Sequence, residues 1–162
     1  GNILHQILSY IITKNDLQFA LTKSLEEGLI QLSQKVIFEE KINQIIIDQS
    51  DFIIAKSNEL SLIFDDENLE SILKKYFNKL FVRDETNSTV YYNGTEMKYQ
   101  REENENMTYK IGMGDGFTCG FAYALINGND LEECVQLGNK VSAKVSLKNG
   151  AQTGLPKLSD LL

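Results

Sequence analysis

The sequence predicts an α/β fold: an open, mostly parallel sheet with helices on both faces and a β-hairpin attached. Three observations predict it. Apolar residues recur at helical spacing in several segments, short continuous apolar runs stand between those segments, and one stretch rich in β-branched and aromatic residues is divided by Asn93-Gly94. Helical stripes alternating with short buried runs are the pattern of βαβ units. Asn-Gly between two such β-type runs is the strongest short hairpin signal.

In chain order, Ile3, Leu4, Ile7, Leu8, Ile11 and Ile12 form one apolar helical face. After Asn15-Asp16, the run LQFALT (residues 17–22) reads as a short buried strand, although six residues alone do not exclude a helix. Ser24 and Glu27 fit a capping box, and the segment around Gly28 is either helix or loop. Ile37, Phe38, Ile42, Ile45 and Ile46 stripe the next helix, with Glu39, Glu40, Lys41 and Asn43 toward water. FIIA (52–55), bounded by Asp51 and Lys56, is expected as a strand buried on both faces.

Residues 60–64 read as helical. Asp66 and Asn68 offer a cap for a helix striped by Leu69, Ile72, Leu73 and Tyr76, and residues 80–82 give the next strand. The hairpin occupies 88–100, and the polar run 101–106 is a solvated loop. Phe117, Phe121, Ala124 and Leu125 stripe a helix that ends at Gly128-Asn129. Asp130 and Glu133 then form a capping box for a last helix striped by Leu131, Cys134, Leu137, Val141 and Val145.

Composition narrows the function classes. A chain of 162 residues with 42% hydrophobic content is expected to form one compact unit. A net charge of -7 and a pI near 4.8 argue against nucleic acid and anionic membranes as partners, because both recruit basic patches. The apolar runs are too short to cross a bilayer. The first ten residues lack the basic region and cleavage site of a signal peptide. Cys119 and Cys134 are expected as reduced thiols in a cytoplasmic protein. The N-x-S/T triplets at Asn87, Asn93 and Asn106 are attributed to chance in an Asn-rich chain, and His5 to a bystander role.

The segment that carries chemistry is IGMGDGFTCGFAY (111–123), in which two glycines precede an acid at the start of an amphipathic helix. Gly112 and Gly114 let the backbone turn tightly and approach a ligand, and the unpaired amides at the helix start attract anions. Asp115 at that place would stand beside a phosphoryl group and accept the proton of an attacking hydroxyl. A structural N-cap aspartate explains the same four residues.

The continuation decides between these readings. GMGDGFTCGFAYALINGNDLEECVQLGN followed by GAQTGLP resembles the C-terminal signature of the ribokinase (PfkB) family, with Gly112, Gly114, Asp115, Phe117, Gly120, Phe121, Gly138, Asn139, Gly150 and Ala151 on matching positions. The resemblance implies a ribokinase-like fold in which residues 1–162 form the C-terminal, nucleotide-binding part, without the N-terminal part and its lid. It implies ATP and magnesium as cofactors and a sugar or nucleoside as substrate. A homodimer or a missing N-terminal half is the implied protein partner.

By the same resemblance Asp115 is the catalytic base, and the amides of Gly112, Met113 and Gly114 form the anion hole. Gly138 and Asn139 lie by the nucleotide. Arg83 and Glu85 contact it from the loop where the family carries T-x-G-x-x-G. Glu59 handles magnesium through water, in a motif whose asparagine is replaced by Lys56. Two further departures are visible: residues 83–88 contain no glycine, and Tyr109-Lys110 replaces the family's D-T, which implies that its monovalent-cation site is absent. A noncatalytic homologue that binds a nucleotide or a partner chain is the competing reading.

Overall fold

The computed structural model describes residues 16–62, 64, 68–102, 108–150 and 152–161. The expected helix over residues 3–12, His5, Asp66, Asn106 and Ala151 lie outside them. The chain divides into two compact units, 1–50 and 51–162.

In the first unit, helix α1 (Asp16–Glu26) and helix α2 (Leu32–Gln49) pack on one another. The run LQFALT is therefore helix and not strand. It belongs to a longer helical stretch in which Ala20, Leu21 and Ser24 are buried together, an i, i+1, i+4 face that a six-residue window is too short to reveal. Ser24 does not cap a helix either: it lies inside α1, and its hydroxyl donates to the Ala20 carbonyl at 2.7 Å. Gly28 ends α1 at φ +70°. The Gly28 amide donates to the Leu25 carbonyl and the Leu29 amide to the Ser24 carbonyl, the paired bonds of a Schellman stop. Along α2 only Ile42 and Ile47 are buried among the described side chains, while Ile37 and Ile46 of the expected stripe are exposed.

The second unit holds the sheet. Strand β1 (Ile53–Lys56) pairs in parallel with β2 (Leu80–Arg83), which pairs antiparallel with β3 (Ser88–Tyr92), and β3 with β4 (Met97–Arg101). The open sheet is thus mixed, in the order β1-β2-β3-β4, with one parallel pair and the hairpin continuing it. The parallel pair is bridged by a 3-10 segment (Ser57–Leu62) and helix α3 (Leu69–Lys75), whose start is capped by the Asn68 side chain accepting from the Glu70 amide at 2.8 Å.

Every residue of β2 is buried, whereas β1 is only half-buried, contrary to the expectation that both its faces are covered. The reason is position: β2 has a strand on each side and β1 lies at the end of the strand order. The hairpin closes through residues 93–96 and not through a two-residue turn, since Tyr92 pairs with Met97. The Asn93 side chain accepts from the Thr95 and Glu96 amides and holds the longer loop.

Helix α4 (Met113–Ile126) and helix α5 (Leu131–Val145) form an antiparallel pair against one face of the sheet. The predicted capping box of α5 is present: the Glu133 amide donates to Asp130 at 2.8 Å, and the Asp130 amide donates to Glu133 at 3.1 Å. Phe81 and Tyr91 from the sheet meet Phe117, Phe121, Ala124, Cys134 and Val135 from the helices in one core. Ring centroids of Phe81 and Phe121 lie 5.0 Å apart in an edge-to-face arrangement, and Phe52 adds a second edge contact to Phe121 at 5.5 Å. This core fixes the start of α4 beside the ends of β1 and β2.

Candidate functional site

A cleft of about 490 Å³ opens where those elements meet. Lys56 ends β1 and Arg83 ends β2, and the two are register partners, so the cleft lies at the carboxyl ends of the parallel pair. Open α/β sheets bind ligands at that edge. The remaining lining comes from Ser57 and Asn58, from Asp84 and Glu85 after β2, and from residues 110–115 at the start of α4.

The local sequence explains the shape of the α4 start. Gly112 is the N-cap at φ +85°, a left-handed conformation that other residues adopt at a cost. The Gly116 amide donates to the Gly112 carbonyl at 2.8 Å and begins the helical ladder, so the amides of Gly114 and Asp115 have no carbonyl of the helix to bind. Of the three amides expected to form the anion hole, that of Met113 turns back toward the Lys110 carbonyl at 3.4 Å. A Cβ placed on Gly114 would meet no protein atom within 4 Å. Asp115 is exposed in the first turn, and among the described residues no hydrogen bond or ion pair occupies its carboxylate.

Arg83 is the floor of the cleft and is only 5% exposed. Its guanidinium donates to the Met113 carbonyl at 3.3 Å, to Asn87 Oδ1 at 2.8 Å and to Ser142 Oγ at 2.7 Å, and it lies 4.3 Å from the centre of the Phe117 ring. Burial pulls it down to about 10, opposed by the nearby Asp84 charge, so it remains a cation at neutral pH. Its three acceptors are neutral, its Nε has no partner, and no carboxylate pairs with it among the described residues. Asp84 lies near enough to act on it electrostatically but is not bonded to it, so the several kcal/mol that burying a cation costs are only partly offset.

The loop after Arg83 is built by its own side chains. Asp84 accepts from the Thr86 hydroxyl and from the amides of Thr86 and Ser88. Partial burial pushes this carboxyl up, and those hydrogen bonds outweigh it and hold it below the ordinary range. Asn87 supplies the left-handed residue at φ +62° that the absent glycine would otherwise provide. Its side chain is fully buried between Arg83 and the Asn139 carbonyl, which leaves it no access to a modifying enzyme. Glu85 reaches across the mouth to Lys110 at 2.6 Å, and that hydrogen bond holds its carboxyl below the usual range.

The structure brings Asp115, Gly112, Met113, Gly114, Arg83 and Glu85 together and leaves three expected residues apart. Gly138 faces Phe117 across the α4–α5 contact, where a Cβ would come within 2.8 Å of the ring. Asn139 is buried against the hairpin: its Oδ1 accepts from the Thr89 hydroxyl at 2.8 Å and its Nδ2 donates to the Gln100 carbonyl at 3.2 Å. Glu59 accepts the Lys56 amide at 3.2 Å, tying the 3-10 turn to the end of β1, and does not line the cleft. Asn139→Ala strands two of those partners, so a loss of about 2–3 kcal/mol is expected in urea denaturation.

Sequence reasoning missed Lys110, Asn87 and Ser142. Only Asn87 carries a local signal, because asparagine tolerates the left-handed conformation and sits in an Asp-x-x-Asn-Ser turn.

The family model described as pfkB family carbohydrate kinase matches residues 20–158. The chain belongs to the PfkB family. Ribokinase of Lactococcus lactis is 27% identical over 155 residues, 93% of this chain and 52% of that protein. The crystal structure of ribokinase from Thermotoga maritima superposes with a TM-score of 0.64 at 22% identity, covering 72% of this chain and 42% of that one. Ribokinase of Arabidopsis thaliana, solved with ribose and ATP, gives a TM-score of 0.62 at 20% identity, covering 72% and 41%. The PfkB chain described here therefore shares the ribokinase fold and spans about half the length of its relatives. No helix among the described residues is long and apolar enough to cross a membrane.

Proposed function

We propose that the cleft binds the phosphates of ATP against the start of α4, and that Asp115 takes the proton of a sugar or nucleoside hydroxyl as its oxygen bonds to the transferred phosphorus and ADP departs. The observation that carries this reading is Gly114. The protein itself leaves room for a side chain there, so the use of glycine is explained by a ligand that approaches the backbone. Asp115 follows directly and presents an exposed carboxylate on the same first turn. The amides of Gly114 and Asp115 would stabilise phosphoryl charge, and the carboxylate would accept the proton.

Magnesium fits this chain as a companion of the nucleotide. The described residues hold no cluster of three His, Cys, Asp or Glu side chains suited to a metal, and a magnesium ion ordinarily keeps waters and takes phosphates with one or two carboxylates. Glu59 lies outside the cleft lining, next to Asn58, which is part of it, so it would reach the ion only through water, and the ion would neutralise phosphate charge.

The expected result is ADP release by the complete protein when magnesium, ATP and a panel of sugars and nucleosides are supplied, read by a coupled assay. Binding of ATP without transfer to any member of the panel would favour the noncatalytic reading, which the glycine-free loop after Arg83 supports.

A further inference from the structure

Arg83, expected from the resemblance to contact the nucleotide, has no stated part in the chemistry above. Its place at the end of β2 is where the family resemblance calls for a small residue before glycines, and the side chain present is the largest cation available. Three features set it apart from a structural arginine. It is buried beneath the first turn of α4, it binds only neutral acceptors, and its Nε is left without a partner among the described residues.

A structural arginine so deeply buried is ordinarily matched by a carboxylate. The closest acid in sequence, Asp84, is already engaged by Thr86 and Ser88. Meanwhile Asn87, Ser142 and the Phe117 ring hold the guanidinium in one orientation, with one amino group on the Met113 carbonyl. The charge is thus fixed in place, at the amide-rich end of a helix whose dipole already favours anions. Asp84 offsets this charge only in part and from outside bonding distance, and a ligand carrying several negative charges would complete the compensation.

We infer that Arg83 is a positioning residue that supplies a fixed positive charge to the polyphosphate of the nucleotide and holds the anion-binding turn through Met113. The inference rests on the proposed nucleotide reading of the cleft. It adds that affinity here depends on a resident cation beneath the turn, in a loop that lacks the glycines for close backbone approach. A single buried charge acts on the more highly charged ligand more strongly, so its signature is the ratio of ATP to AMP affinity and the dependence of that ratio on salt.

The test is calorimetric titration of the complete protein with magnesium-free ATP, which carries more negative charge than AMP, with AMP, and with magnesium-ATP as the check on binding itself, at low and high salt, for the native chain, Arg83→Gln and Arg83→Lys. Arg83→Gln is expected to weaken ATP about tenfold, equivalent to about 1.4 kcal/mol. It should change AMP much less and flatten the salt dependence, while Arg83→Lys retains most of the ATP preference. Should Arg83→Gln fail to fold, Arg83→Met removes the same charge without leaving unpaired donors and is read in the same way. An unchanged ATP-to-AMP ratio and salt dependence in a folded charge-free variant would overturn the inference and leave the nucleotide reading standing. Absence of ATP binding by the native protein would overturn both.

Discussion

In the complete protein, Asp115→Asn is expected to lower turnover by about 10²–10⁴-fold, the usual contribution of a positioned general base, while magnesium-ATP affinity stays within about threefold. The amide of asparagine keeps the size of the carboxylate and loses its ability to accept a proton at neutral pH. The variant should fold normally, because the carboxylate is exposed and, among the described residues, engages no partner whose loss would be felt. That isolation is informative in itself. An aspartate serving as a helix cap accepts a backbone amide, as Asp130 does from Glu133 on α5, and Asp115 does not. Turnover measured with the best acceptor from the panel, beside a titration with ATP, decides the matter. Equal turnover in both proteins would remove Asp115 from the chemistry, and a parallel loss of ATP binding would assign it to ligand binding.

The parts of this fold that were legible in the sequence are those whose signals lie within a few residues of one another. The α5 capping box needs only Asp130 and Glu133, the α4 stripe only Phe117, Phe121 and Ala124, and the glycine-acid turn only residues 112–115. The family signature runs through the same region. What was illegible depends on partners far along the chain. Arg83 read as a nucleotide contact from its place in the loop, yet how it is held comes from Met113 and Ser142, which are 30 and 59 residues away. Asn139 lies on a matching position of the signature, and its side chain is committed to Thr89 and Gln100 of the hairpin, separations of 50 and 39 residues. The LQFALT error has a different origin. Ala, Leu, Phe and Thr in a short run satisfy either period, and only the continuation to Glu26 and the stop at Gly28 distinguish helix from strand.

The glycines of α4 yield a second large effect, with opposite signs at two positions less than two turns apart. A Cβ on Gly120 would stand 2.8 Å from the Leu137 carbonyl oxygen and 3.0 Å from the Gly138 Cα, both backbone atoms of α5. Backbone cannot swing aside as a side chain does, so Gly120→Val must push the two helices apart and loosen the Phe117–Phe121 core that their contact supports. The expected cost is about 2–3 kcal/mol after the small gain in helix propensity, which corresponds to a fall in melting temperature on the order of 10 °C for a domain of this size. Gly114→Ala should do the reverse. No protein atom lies within 4 Å of its added methyl and its backbone needs no left-handed conformation, so about 0.5–1 kcal/mol of stabilisation is expected from the helix start alone. The same methyl points into the space assigned to phosphate, so magnesium-ATP affinity should fall as the melting temperature rises. A variant that is both more stable and unimpaired in ATP binding would mean that nothing approaches Gly114, and the observation on which the kinase reading rests would lose its force.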